Sequence, residues 1–171
     1  MEVALKNLSS NAYECTLLGL KDTQKLAVKL SKEIYRKGGP SIVALYGDLG
    51  SGKTTFTQFL AKALGVKEKI LSPTFVIIKT FSLNSWIYVD QARMGADIKY
   101  KRLVHIDTYR LKSAKDLIAL GLKDLLKDKE NIVVIEWPEK IEKLLPKNTV
   151  RIYFSVVSEK ERKVTIKIPN Y

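Results

Sequence analysis

Gly47-Asp48-Leu49-Gly50-Ser51-Gly52-Lys53-Thr54-Thr55 has the spacing of a phosphate-binding loop, with Gly47, Gly52, Lys53 and Thr54 at the fixed places of G-x-x-x-x-G-K-[ST]. Glycines permit the tight turns that aim backbone N–H groups inward at phosphate oxygens. The Lys53 ammonium brings positive charge to the β- and γ-phosphates, and the Thr54 hydroxyl can ligate Mg²⁺. The nucleotide contacts expected of this loop fall on Asp48, Leu49, Gly50, Ser51, Gly52, Lys53, Thr54 and Thr55.

A triphosphate site also needs a carboxylate at the end of a neighbouring strand to help hold the metal, and an oriented attacking group. Two apolar, β-prone runs end in an acid, Leu103-Val104-His105-Ile106-Asp107 and Ile132-Val133-Val134-Ile135-Glu136. If both strands flank the loop strand in a parallel sheet, both acids emerge at its carboxyl edge beside the γ-phosphate. One would hold the metal, directly or through water; the other would orient a water or complete the metal shell. The pattern leaves open which does which. Thr74, in the turn Ser72-Pro73-Thr74, stands where phosphoryl-transfer proteins often keep a γ-phosphate sensor, the alternative being a hydroxyl that closes the turn. His105, the single histidine, reads as a satisfied core residue of its apolar strand rather than a base, and Trp137 as packing. Arg110 reads as a surface salt bridge, with phosphate contact as the alternative.

The elements that must position these residues are legible around them. Ser41–Tyr46 is an apolar run suited to a strand buried on both faces. After the loop, Phe56, Phe59, Leu60, Ala63 and Leu64 form one stripe of an amphipathic helix, and Gly65 stands at its C-terminal cap. Strand, loop and helix together put a phosphate at a helix N-terminus, where free N–H groups and the dipole favour an anion. Upstream, Tyr13–Leu17 predicts a short strand, and Asp22 a cap for a helix carrying Leu26, Ala27, Leu30 and Ile34 that ends at Gly38-Gly39-Pro40.

Downstream, Phe75–Phe81 and Trp86–Val89 are β-prone, and residues 90–101 read as a surface loop. Ser113 and Asp116 have the spacing of a capping box before one helix with Leu117, Leu120, Leu125 and Leu126. Pro138 suits the first turn of a short helix bearing Ile141, Leu144 and Leu145. Arg151–Val157 and Val164–Ile168 predict a closing hairpin, which makes the sheet mixed.

The 171 residues fit one domain, 1–171, with a single sizeable core. One cysteine, Cys15, excludes an internal disulfide and a cysteine metal cluster, in keeping with a reducing compartment. No apolar leader is visible and no run approaches about 18 apolar residues, so a soluble cytoplasmic protein without membrane contact is expected. A net charge of +12 points to an anionic partner such as nucleic acid, or to lysine-rich solvated faces, since the lysines are scattered. No [NT]-K-x-D element follows the loop, which favours ATP over a guanine nucleotide.

Taken in order, the loop, Ser72-Pro73-Thr74-Phe75, His105-Ile106-Asp107-Thr108-Tyr109-Arg110-Leu111, Leu120-Gly121-Leu122 and Glu136-Trp137-Pro138-Glu139 resemble one family. It is the TsaE (YjeE) ATPases of bacterial tRNA threonylcarbamoyladenosine biosynthesis. The resemblance runs from about Tyr13 to the final hairpin. It implies a single P-loop NTPase domain of α/β class, a central mostly parallel but mixed sheet flanked by helices. It implies ATP and Mg²⁺ as ligands, slow hydrolysis by the chain alone, and work with TsaD and TsaB. That complex transfers threonylcarbamoyl to N6 of adenosine 37 in ANN-decoding tRNAs, tRNA being reached through the complex.

Carried over, Lys53 binds phosphate, Thr54 and Glu136 hold the metal, and Asp107 completes the catalytic carboxylates and metal shell. Thr74 becomes a switch residue near the γ-phosphate, and Trp137 a site wall or partner contact. One departure is the stretch between Phe81 and Leu103, about ten residues longer than the family hairpin. Two other functions remain open: a small-molecule or nucleotide kinase, disfavoured by the lack of an arginine-rich lid, and a nucleotide-switched tRNA-binding scaffold that does not hydrolyse.

Overall fold

Alternation along the loop strand decides how the protein is layered. Val43 and Leu45 point to one face and Ile42, Ala44 and Tyr46 to the other, and all are buried, so both faces of this strand must be covered. The structure is a computed structural model that describes residues 3–37, 41–71, 76–83 and 100–169. Its elements are β1 (Lys6–Ser9), β2 (Ala12–Leu17), α1 (Leu20–Lys37), β3 (Ser41–Tyr46), α2 (Lys53–Ala63), β4 (Ile78–Ser82), β5 (Arg102–Asp107), α3 (Ala114–Ala119), α4 (Leu122–Lys127), β6 (Asn131–Glu136), a 3₁₀ helix (Pro138–Leu144), β7 (Val150–Val156) and β8 (Arg162–Lys167). Val43, Leu45, Leu103 and Val134 pack with Leu26 and Leu30 of α1 and with Phe56 and Leu60 of α2. Ile42, Ala44, Val104, Ile106, Val133 and Ile135 pack on the opposite side with Leu117, Leu122 and Ile141.

The strands form one mixed sheet in the order β1-β2-β8-β7-β3-β6-β5-β4. Among the described residues, β7-β3-β6-β5 run parallel and every other pairing is antiparallel, including the closing β7–β8 hairpin. The two acid-ending strands do not both flank β3. β6 does, but β7 takes the other flank and β5 lies one strand further out. The tail hairpin inserts into the sheet instead of lying at its edge, which sequence alternation does not reveal.

α2 starts at Lys53 behind Gly52, whose φ of 105° is left-handed. It ends in a two-bond Schellman cap, Gly65 N–H to Lys62 O at 3.1 Å and Val66 N–H to Ala61 O at 3.0 Å, with Gly65 at φ 86°. Its buried stripe is Lys53, Phe56, Thr57, Leu60 and Ala61, while Phe59 and Ala63 are half-buried. The stripe is turned from the apolar one expected because two polar residues, Lys53 and Thr57, face the sheet edge. Asp22 is the third residue of α1 rather than its leading cap, and accepts the Leu18 N–H at 3.1 Å. β1 was not anticipated; its four residues are short, exposed and mostly polar, and only pairing with β2 makes them a strand.

The single helix expected after Ser113 is two. Asp116 does accept the Ser113 N–H, at 3.0 Å, but Gly121 at φ 84° ends α3 and turns the chain so that Leu122 is buried and Leu120 exposed. A Cβ at Gly121 meets nothing within 4 Å, so Gly121→Ala carries backbone strain alone. Its expected cost is about 1–2 kcal/mol. Thermal unfolding should shift down by about 4 °C with nucleotide binding unchanged.

β4 begins at Ile78, later than the run from Phe75 suggested, after Ile77 at φ 66°. Gly38-Gly39-Pro40, Ser72–Phe75, Trp86–Val89 and most of the 90–101 stretch lie outside the described residues. Among the described residues, no helix is long and apolar enough to cross a membrane.

Candidate functional site

The chain leaves β3 at Tyr46 and turns at once. Gly47 has φ 132°, and a Cβ there would sit 2.3 Å from the Phe154 carbonyl oxygen on β7. No other residue type fits that approach. Ser51 N–H closes the loop onto Asp48 O at 3.1 Å. Lys53 folds back under it, donating from Nζ to Gly47 O at 2.6 Å, Asp48 O at 2.9 Å and Ser51 Oγ at 3.5 Å. Nζ also lies 3.8 Å from the centre of the Trp137 ring, which packs against Tyr109 at 4.8 Å between centroids. Burial pushes the Lys53 ammonium below the usual lysine range, opposed by the carboxylates of Glu136, Glu139, Asp107 and Asp48. The ammonium is therefore poorly hydrated and ready to exchange carbonyl oxygens for a more negative ligand.

The two acids stand side by side. Parallel register pairs Asp107 with Glu136, and Glu136 with Leu45 of β3. Glu136 is buried; its Oε2 accepts from Thr54 Oγ1 at 2.7 Å and its Oε1 from His105 Nε2 at 2.8 Å, with Thr57 Oγ1 3.3 Å from Oε1. Asp107, also buried, accepts the Tyr109 N–H at 2.9 Å. Thr108 Oγ1 donates to the Trp137 carbonyl, and Trp137 N–H donates to Leu45 O at 3.2 Å, so the ends of β3, β5 and β6 are tied together. Lys140 braces the turn after Asp107 through the carbonyls of Tyr109 at 3.1 Å and Leu111 at 2.6 Å.

Of the residues expected at the site, Lys53, Thr54, Glu136 and Asp107 come together, Glu136 lying nearest the loop and Asp107 one strand beyond. Asp48, Leu49 and Gly50 form the exposed tip of the loop, Ser51 is buried, and Arg110 is exposed. Thr74 lies outside the described residues. Thr54, Glu136 and Asp107 offer hard oxygen donors, the type Mg²⁺ takes. Among the described residues, no cluster of three or more His, Cys, Asp or Glu could hold a metal unaided.

Trp137, read from its own position as packing and from the resemblance as a site wall or partner contact, lies with its indole face over the Lys53 ammonium. Two parts of the site were not legible in advance. His105 is a buried core residue as expected, yet its Nε2 is spent on Glu136, and its Nδ1 has no hydrogen-bond partner among the described residues. A cavity of about 310 Å³ opens beside the second half of the loop, between Leu18-Gly19 before α1, Gly50, Thr55 and the β7–β8 turn. Arg162 joins that turn to the loop, donating to Ser158 O at 2.7 Å and Gly50 O at 3.3 Å. This wall is built by segments far apart in sequence, with no local pattern to announce it.

The family model described as "Threonylcarbamoyl adenosine biosynthesis protein TsaE" matches residues 18–164. The chain belongs to the TsaE family. Similar proteins include the tRNA threonylcarbamoyladenosine biosynthesis protein TsaE of Treponema pallidum, 32% identical over 74% of this chain and 81% of the relative. The protein of the same name from Bacillus subtilis is 31% identical over 82% of this chain and 77% of its own length. The crystal structure of Bacillus subtilis YdiB has the same fold, with a TM-score of 0.68 at 24% identity, covering 98% of this chain and 88% of YdiB.

Proposed function

We propose that this TsaE family member binds ATP with Mg²⁺ at the 47–55 loop and hydrolyses it as a subunit for tRNA threonylcarbamoyladenosine formation, acting with TsaD and TsaB homologues in the cytoplasm. The observation that carries the reading is the convergence of Lys53, Thr54, Glu136 and Asp107 at one sheet edge beneath the loop. The names of the relatives support the pathway.

In this reading Lys53 releases the Gly47 and Asp48 carbonyls and pairs with the β- and γ-phosphates, gaining full negative charge in place of amide dipoles. Thr54 and Glu136 would hold the metal, and Asp107 would either help to hold it or orient the attacking water. Mg²⁺, when bound, neutralises charge shared between the β- and γ-oxygens. Thr74 contacts the γ-phosphate, and the cavity walled by Thr55 and Arg162 takes the nucleoside. Threonylcarbamoyl transfer to N6 of adenosine 37 in ANN-decoding tRNAs belongs to the complex, which also brings the tRNA.

The experiment measures ATP hydrolysis by the chain alone, then with TsaD, TsaB and tRNA. A low basal rate that rises with the partners is the expected result. Labelled phosphate appearing on a small-molecule acceptor would instead identify a kinase. Tight nucleotide binding without turnover in the full mixture would identify a scaffold.

A further inference from the structure

We infer that His105 is a positioning residue that fixes the rotation of the Glu136 carboxylate, so that one oxygen alone faces Thr54 and the loop. The inference rests on the reading of this edge as a metal-dependent nucleotide site. His105 is on β5, two residues before Asp107, and Asp107 is in register with Glu136. Its side chain therefore shares a sheet face with Glu136 and meets it diagonally, within reach for an imidazole. The strand around it is Leu103, Val104 and Ile106, all fully buried, and His105 itself is 0% exposed.

A polar ring in such a place carries a desolvation cost unless bonded. The bond found for it is Nε2 to Glu136 Oε1 at 2.8 Å. A carboxylate only accepts, so Nε2 supplies the proton of this bond, while Nδ1 has no partner among the described residues. The imidazole thus has a single polar task.

Thr57 does not duplicate it. Its hydroxyl has one proton, better placed on the Lys53 carbonyl at 3.0 Å than on Glu136 Oε1 at 3.3 Å. His105 is then the committed donor to Oε1, and Oε2 is the oxygen turned to Thr54. Without that donor the carboxylate can turn about its last torsion, which is intrinsically soft, and present either oxygen or both. Partners of this kind orient the carboxylates that hold metals.

The test compares His105→Gln, which keeps an N–H donor near the reach of Nε2, with His105→Phe, which keeps a ring and removes the donor. Binding of a non-hydrolysable ATP analogue is followed calorimetrically with and without Mg²⁺, alongside kcat and KM. The parent and His105→Gln should gain affinity from Mg²⁺ alike. His105→Phe should bind the metal-free analogue as the parent does, lose roughly tenfold or more in Mg²⁺ affinity, and lose kcat with KM little changed. A His105→Phe protein with the parental Mg²⁺ response overturns the inference. So does a His105→Gln protein as impaired as His105→Phe, which would make the role one of packing.

If His105→Phe does not fold by thermal unfolding, His105→Asn replaces it. Its shorter amide should lose the Mg²⁺ response that His105→Gln keeps, and equal responses overturn the inference. A parent that binds the analogue identically with and without Mg²⁺ overturns the site reading itself, and this inference with it.

Discussion

Lys53→Ala is expected to lower kcat/KM for ATP hydrolysis by about a hundredfold or more, the loss typical when one preorganised donor to developing charge is removed. Nζ is the ammonium already enclosed by the loop, bound to the carbonyls of Gly47 and Asp48 and covered by the Trp137 ring. Alanine leaves no cation there, and the backbone N–H groups must then carry the phosphates alone. Stability should move in neither direction by more than about 1 kcal/mol, because lost hydrogen bonds offset a relieved desolvation cost. Burial is the leading reason the ammonium sits below the usual lysine range.

Lys53→Arg should not restore activity, since the carbonyls of Gly47 at 2.6 Å and Asp48 at 2.9 Å enclose a compact ammonium, and the larger guanidinium does not place its charge at the same point. Steady-state hydrolysis with thermal unfolding of the same preparations reads both effects. A folded Lys53→Ala protein that turns over ATP like the parent would sink the proposed site.

The sequence made the loop, its strand and helix, the two acid-ending strands and the closing hairpin legible, because each is written in a local pattern. An unbroken apolar run, a spacing of glycines and an acid at a strand end survive without knowledge of neighbours. Strand order does not. β7 belongs to a hairpin by its alternation, yet it flanks β3 and sends β5 outward, and so Glu136 rather than Asp107 is next to Thr54.

The helix break at Gly121 was visible as a residue but not as an event, since a lone glycine also occurs within helices. His105 is the clearest case. An isolated histidine in an apolar strand is read as core, and it is core. Its bond to Glu136 depends on the register of β5 against β6, which a single sequence does not state.

Gly47→Ala should be the most damaging single methyl group that can be added to the loop. The new Cβ would lie 2.3 Å from Phe154 O, 3.2 Å from Phe154 C and 3.0 Å from Ser51 Oγ. The serine hydroxyl can turn away, but the first two atoms are backbone of β7, held by pairing with Val164 of β8 and by the Phe154 ring against Phe56 at 5.5 Å. The loop must lift from β7, and at φ 132° the alanine is strained wherever it settles. Overpacking of about 1–3 kcal/mol adds to left-handed strain of about 1–2 kcal/mol. For a chain of this length the expected fall in Tm is about 10 °C.

The functional loss should exceed what stability explains. A shift of about 1 Å in the amides of the phosphate cradle is enough to cost roughly a hundredfold. Nucleotide binding should therefore be lost at temperatures where Gly47→Ala is still folded, and saturating ATP with Mg²⁺ should not raise its Tm. Gly121→Ala has the same kind of φ strain with no atom in the way, and should lose stability alone. If Gly47→Ala binds nucleotide like the parent, Gly47 does not need its close approach to Phe154, and the cradle is not built on it.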